Sequence, residues 1–388
     1  MPARILLILA LAFPVALSAA ADDGPIRIGA TMSETGAYST QGSAARNGYR
    51  LCERHVNDDG GLLGRQVEFI IHDDQSDPDR AIELYEQLLE IDPVDAVMGP
   101  YGSTLTEAVA PVTEAHRMVM ISPLAATTSI WEQGREYLFM VLPPAELFLA
   151  GLVEMAAERG LERIAVLAED ALFPGAAAAG AAELAQQAGM RVVFHEDYPS
   201  GLEDFTNLIE QIEQADAQVL AMAASALDDF ISVSQAMKSQ AVSPAMFGTS
   251  GAVSEFQEAL GPDAEYAYGL SAWEPGLDNP GNQAFVDAYQ ATFDRAPSFH
   301  AAGAYGSCQL FMEAARRADS LDSDALREAL LALRTTTVFG PFEVDERGYQ
   351  IANQGVFIQW QDGEKVVVWP DELATAEPRY PTPGWDRR

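Results

Sequence analysis

Residues 26–74 read IRIGATMSETGAYSTQGSAARNGYRLCERHVNDDGGLLGRQVEFIIHDD. Ile26, Ile28 and Ala30 alternate as the apolar positions of a strand do. A loop of small and hydroxyl residues follows over 33–42. Ala45, Tyr49, Cys52 and Val56 then recur at the 4-3-4 spacing of a helix's inner face. A Gly-rich turn leads to a second apolar run over 67–71. This is a βαβ unit, and its first loop falls at the carboxyl end of its first strand, where open α/β sheets hold ligands. Tyr38 and Gln41 stand on the edge of that loop and are candidate ligand contacts.

Just upstream, residues 1–21 have the parts of a secretory signal: Arg4, an apolar run over 5–17, and small residues Ser18, Ala19, Ala20 and Ala21 for cleavage. The run is shorter than the ~20 apolar residues that span a bilayer. An exported, periplasmic, soluble chain is the expectation. No cysteine follows the cleavage site to carry a lipid anchor.

Downstream, strands and helices keep alternating. A helix over 80–91 ends at Asp92-Pro93, and strands over 96–98 and 119–121 break into hydroxyl-rich loops over 99–104 and 122–128. Around Pro143-Pro144 the pattern restarts, and residues 143–271 form a second α/β series. Helices over 282–293, 304–317 and 323–333 come next, then short strands over 342–344, 357–360 and 366–369. The Pro-rich segment 377–388 reads as a loose tail. Alternation of this kind, with strands buried on both faces, means an α/β fold of two doubly wound parallel sheets.

The formal charge is −35, and the lysines are Lys238 and Lys365 alone. Such a surface repels nucleic acid and anionic membranes. It aids solubility, and adaptation to a salty exterior, where ions screen self-repulsion, stays open beside that reading. Cys52 and Cys308 sit on expected helices among apolar neighbours; two free buried thiols are the expectation, with a bridge left open. His55, His72, His116, His195 and His300 are isolated and show no metal-ligand spacing. Asp73, Asp74, Asp77 and Asp79 lack the glycine and closing glutamate of a calcium loop and read as a solvated acidic turn. Residues 248–251, GTSG, are not a nucleophile elbow, and no Walker A or G-x-G-x-x-G run occurs. Neither enzyme chemistry, a metal nor a cofactor is expected.

Seven stretches carry a resemblance in their order and spacing: IRIGATMSETGAYSTQG, NDDGGLLGRQVEFIIHDDQSDPDRA, MGPYGSTLTEAVAPV, VMISPLAATTSIWEQG, AEDALFPG, YPSGLEDFTNLI and FGPFEVDERGYQ. From about residue 26 to residue 360 the chain resembles the type I periplasmic substrate-binding proteins of ATP-driven (ABC) importers, in particular the leucine/isoleucine/valine-binding group. The resemblance implies two lobes joined by three hinge crossings near 141–144, 271–275 and 338–341, with one small ligand held between them. Lobe 1 would take 22–142 and 272–338, and lobe 2 would take 143–271 and 339–376. The partners implied are a small-molecule ligand and a membrane permease, with the protein acting as a monomer. A free sensor that presents its solute to a chemoreceptor or kinase is the alternative, and an enzyme on the same scaffold is the third class.

A helix N-terminus carries about half a positive charge and unsatisfied N–H groups, so it holds a carboxylate without Lys or Arg. Gly102, Ser103 and Thr104 fit such a site, and Tyr101 beside them is an aromatic candidate for the cleft wall. The resemblance adds Leu124, Ala125, Ala126 and Thr127, although Ala126 takes the place of the family's threonine. Phe173 and Trp273 are the further aromatic candidates for the cleft wall. On the opposing side the resemblance matches Ser250 to the acidic residue that holds an ammonium group, Ser225 to a tyrosine, and Leu147 to a further acidic partner. A buried ammonium without a carboxylate is costly. The ligand expected is therefore an amino acid or a related small carboxylate. A neutral or carboxylate-only ligand, aromatic ones included, suits Ser225 and Ser250 better, while Glu146 beside Leu147 keeps the amino-acid reading open.

Overall fold

The computed structural model describes residues 24–388, so the signal expected over 1–21 lies outside the described residues. The opening βαβ unit forms as β1 (Ile26–Met32), α1 (Ser39–Asp58) and β2 (Val67–Asp73). Then come α2 (Pro78–Glu86), β3 (Ala96–Met98), α3 (Ser103–Ala115), β4 (Met120–Ser122) and β5 (Leu138–Met140). The strands pair in parallel in the order β2-β1-β3-β4-β5. Residues 87–91, expected to continue α2, widen into a single π turn that ends at Asp92.

The second series runs α4 (Ala150–Glu158), β6 (Arg163–Glu169), α5 (Leu172–Gln187), β7 (Arg191–Tyr198), α6 (Thr206–Gln214), β8 (Val219–Ala223), α7 (Leu227–Ser239), β9 (Met246–Thr249), α8 (Ser254–Leu260) and β10 (Tyr268–Ser271). The chain then returns to the first sheet with α9 (Asn282–Phe293), α10 (Phe299–Ala318) and α11 (Ser323–Leu331). A small hairpin, β11 (Thr335–Thr337) and β12 (Gly340–Phe342), leads back to β13 (Val356–Gln361) and β14 (Glu364–Trp369) in the second sheet. That sheet has the order β14-β13-β10-β9-β8-β6-β7. The α/β class is borne out, with one addition: β10, β13 and β14 pair antiparallel, so this sheet is not wholly parallel.

Helix α1 shows how sequence spacing becomes packing. Its face of Ala45, Tyr49, Cys52 and Val56 is buried, as its spacing predicts. Gly48, on the same face, lies so close to α10 that a Cβ there would stand 2.2 Å from the Ala301 carbonyl oxygen. One turn further along, Cys52 and Cys308 form a disulfide with Cα atoms 6.4 Å apart. The expectation of two free thiols is corrected: glycine and alanine let the two helices approach to bridging distance.

Two further expectations are corrected. Asp74 is fully buried, not solvated; it accepts from Thr31 Oγ1 at 2.8 Å, Ser33 Oγ at 2.6 Å and the Ser76 amide at 3.0 Å. The hydroxyls of Thr31 and Ser33 are thus spent on fixing the first loop. The tail over 377–388 is docked, not loose. The Arg379 amide donates to Gln359 Oε1 at 2.7 Å, Thr382 N to the Ala245 carbonyl at 3.0 Å, and Trp385 Nε1 to the Val242 carbonyl at 2.7 Å.

Candidate functional site

The carboxyl ends of both sheets face a cleft between them. On the first wall, Tyr38 precedes α1 and Gln41 lies in its first turn. Tyr101 and Gly102 leave β3, and Ser103 and Thr104 begin α3. Gly102 adopts φ +78, a conformation that favours glycine, and brings no capping side chain to α3. The amides of Ser103 and Thr104 therefore have no capping side chain, and both residues line the cleft. Leu124, in the loop after β4, pairs its backbone with Tyr101.

Ser103 does more than start a helix. Its Oγ accepts from the Ala126 amide at 3.1 Å and the Thr127 amide at 3.2 Å. Those amides are turned to Ser103, and Ala125, Ala126 and Thr127 do not line the cleft, contrary to expectation. Thr127 Oγ1 is buried without a partner among the described residues. Trp273 is also corrected: its Nε1 donates to Asn282 Oδ1 at 2.8 Å and its ring packs edge-on against Phe285 in the core, away from the cleft.

On the opposing wall stand Phe173 at the start of α5, Ser225 before α7, and Ser250 after β9. The Ser250 hydroxyl is engaged with the backbone of Ala224, accepting from its amide at 3.2 Å and donating to its carbonyl at 3.3 Å. Glu146 accepts from Thr128 Oγ1 at 2.6 Å and does not line the cleft. Its rescue of an ammonium site is not supported. The walls touch across the cleft at Ser225, whose carbonyl accepts from Tyr101 Oη at 3.1 Å and Gln41 Nε2 at 3.3 Å.

Sequence reasoning missed much of the apolar lining: Leu105, Leu142, Phe148, Leu227, Phe230, Val253, Phe299 and His300. Phe148 meets Phe173 edge-on at 4.9 Å, and Phe299 and His300 open α10. Leu227 and Phe230, three apart at the start of α7, carried a helical-face signal. Burial holds the His300 imidazole at about 3, helped by the charge of Lys365, so it is neutral at physiological pH.

Two carboxylates also went unrecognised. Glu169 ends β6 and is 3% exposed; its oxygens accept from the Ser225 amide at 2.9 Å and Ser200 Oγ at 2.7 Å. Asp229, in the first turn of α7, is 7% exposed and accepts from Tyr198 Oη at 2.8 Å. Burial first, then the charges of Glu169 and Asp229, push the Tyr38 phenol up to about 12. Among the described residues no group of His, Cys, Asp and Glu could hold a metal.

Asp229 gives a pH prediction. Burial raises its carboxyl to about 6; the Tyr198 hydroxyl opposes the shift, and the charges of Glu169 and Asp228 add to it. An unfolded aspartate ionises near its ordinary value of 3.8. Between those two values the folded chain holds a proton that the unfolded chain has released. This group's contribution therefore falls as pH rises through the window, by on the order of 2–3 kcal/mol. Asp229→Asn is expected to be more stable than the parent at pH 7.5 and to lose that advantage below pH 4. Urea unfolding across this range measures it, and a less stable variant at pH 7.5 contradicts it.

A two-walled cleft with an open helix N-terminus and an apolar lining defines a ligand-binding protein of two α/β halves. The periplasmic binding protein family model matches residues 25–365, and the chain belongs to that family. Its members are substrate-binding proteins, not enzymes, of periplasmic location. The chain is 25% identical over 384 residues to Leu/Ile/Val-binding protein homolog 7 of Brucella suis biovar 1 (strain 1330), covering 94% of this chain and 96% of the relative. The branched-chain amino acid transporter substrate binding protein LivJ of Streptococcus pneumoniae, solved with isoleucine, superposes with a TM-score of 0.80 at 21% identity, over 92% of this chain and 100% of that one. An ABC transporter solute binding protein of R. palustris, solved with benzoate, also gives 0.80 at 18% identity, over 93% and 97% of the two chains. The resemblance to the Leu/Ile/Val-binding group drawn from the sequence is thereby borne out.

Proposed function

We propose that this protein is the solute-binding component of an ABC importer, capturing an amino acid or a related small carboxylate between two lobes and delivering it to a membrane permease. Residues 1–21 serve as its signal peptide, and it acts as a monomer. One observation carries the reading: Ser103 and Thr104 line the cleft at the start of α3, and their amides have no capping side chain. A carboxylate there meets unsatisfied N–H groups and the positive end of the helix dipole. Its apolar body would lie against Phe148, Phe173, Leu227 and Phe230. Both an isoleucine-bound and a benzoate-bound protein share this fold, which is in keeping with a carboxylate as the common element. Contacts from both walls exist together only when the cleft is shut, so the ligand shifts the population toward closure.

A thermal-shift panel of leucine, isoleucine, phenylalanine, benzoate and phenylacetate tests the reading. Ligand at 100 times its Kd adds about 2.7 kcal/mol, a rise of roughly 3–4 °C for a protein of this size. If no acid raises the Tm while an uncharged solute does, the reading fails.

A further inference from the structure

We propose that the imidazole of His300, at the start of α10, is a specificity-determining group of the cleft and selects an acid that carries a hydroxyl on its body. The inference rests on the reading above, because it presumes a carboxylate docked at α3, and it adds what the rest of the ligand must offer.

His300 lines the cleft and is 5% exposed. Ring contacts alone hold it: Tyr101 meets it edge-on with centroids 5.6 Å apart, and Phe299 lies against it at 3.8 Å. Neither ring nitrogen has a hydrogen-bond partner among the described residues. The polar atoms sealed in the interior without a partner include His72 Nε2 but neither nitrogen of His300, so these reach the space that the residue lines. Burial and the Lys365 charge keep the ring neutral, and a neutral imidazole has one donor and one acceptor. Both are costly to leave unmade once a ligand has displaced water from the cleft. A hydroxyl answers both, because it donates and accepts. A second carboxylate only accepts, and it would bring a charge into an apolar lining.

The helix itself is the second observation. α10 is 20 residues long, and Ser298 before it gives no capping side-chain bond. The positive end of its dipole therefore falls at His300 and favours an electron-rich oxygen there. A Cβ on Gly303 would stand 3.3 Å from Leu124, so α10 begins beside the loop that borders the α3 site. Carboxylate and hydroxyl are thus both read from the first wall, while Phe148, Phe173, Leu227 and Phe230 pack against the body. Other polar side chains of the lining are already engaged: Tyr101 Oη with the Ser225 carbonyl, Ser103 with two amides and Ser250 with Ala224. His300 has its whole hydrogen-bonding capacity unspent.

Isothermal titration of matched series tests this: benzoate against 2-, 3- and 4-hydroxybenzoate, phenylalanine against tyrosine, and valine against threonine. In at least one series a hydroxylated member is expected to bind at least about tenfold tighter than its parent acid, since a site built to bond a hydroxyl penalises the analogue that lacks it. His300→Phe keeps a ring against Tyr101 and Phe299 and should erase most of that preference. His300→Gln restores a donor and an acceptor and should recover part of it. In the unaltered protein the nitrogen NMR signals of the His300 ring should move with the hydroxy acid and stay in place with its parent; if His300→Phe does not fold, this readout decides. No preference for a hydroxylated member in any series, a preference unchanged in folded His300→Phe, or ring signals that ignore the hydroxyl overturns the hydroxyl subsite while leaving carboxylate capture standing. Binding of no acid in any series overturns both.

Discussion

Replacing Cys52 and Cys308 together by alanine is expected to lower stability by about 4–5 kcal/mol, or roughly 6 °C in Tm. The bridge joins residues 256 apart in sequence, so in the chain-entropy view it removes a large loop from the unfolded ensemble. It also fastens α1 to α10 at the point where Gly48 lets the backbones approach. Both helices begin at the cleft, α1 with Gln41 in its first turn and α10 with Phe299 and His300. Loosening their packing should therefore weaken ligand binding as well as stability. Thermal unfolding of the double variant beside the parent measures the effect, and melting points within about 1 °C of each other, under roughly 1 kcal/mol, contradict it.

Ser103→Ala carries the second large effect. The substitution leaves the buried amides of Ala126 and Thr127 without their acceptor, at about 1–3 kcal/mol each. The loop after β4 loses its tie to the start of α3, and the anion site loses its shape. Affinity for a carboxylate ligand is expected to fall by at least about tenfold. Hydrogen exchange at Ala126 and Thr127 should quicken in the same variant, a change that loss of a direct ligand contact alone would not produce. Unaltered exchange at both amides rules out the tie, and unaltered affinity removes Ser103 from the site.

The first wall was largely legible in the sequence because its signals are local. The face of α1 follows from 4-3-4 spacing, and the loops at Tyr38, Tyr101 and Leu124 follow from strands that break into small and hydroxyl residues. What the sequence hid depends on contacts between distant elements. Strand β5 spans three residues, too few to show a period. The antiparallel pairing of β13 and β14 was signalled by Asp362-Gly363, both at positive φ, as a two-residue hairpin turn. The disulfide required the close approach of α1 and α10, which spacing within either helix does not reveal.

The second wall was misread for a chemical reason. Matching Ser250 to an acidic position implied a wall without charge. Charge lies buried near that wall, at Glu169 and Asp229, neither of which lines the cleft, and only the folded chain displays their burial. Trp273 illustrates the opposite error: an aromatic at a crossing is as readily a core residue, and its hydrogen bond to Asn282 holds it there.

The central claim is that a ligand carboxylate docks at the uncapped N-terminus of α3. Calorimetric titration of leucine against leucinamide, and of phenylalanine against phenylalaninamide, tests it most directly, because each pair keeps its amino group and its body. The account predicts that the carboxylate of the bound pair binds at least about tenfold tighter than its amide, and that Ser103→Ala narrows the gap. Equal affinity for acid and amide would contradict it.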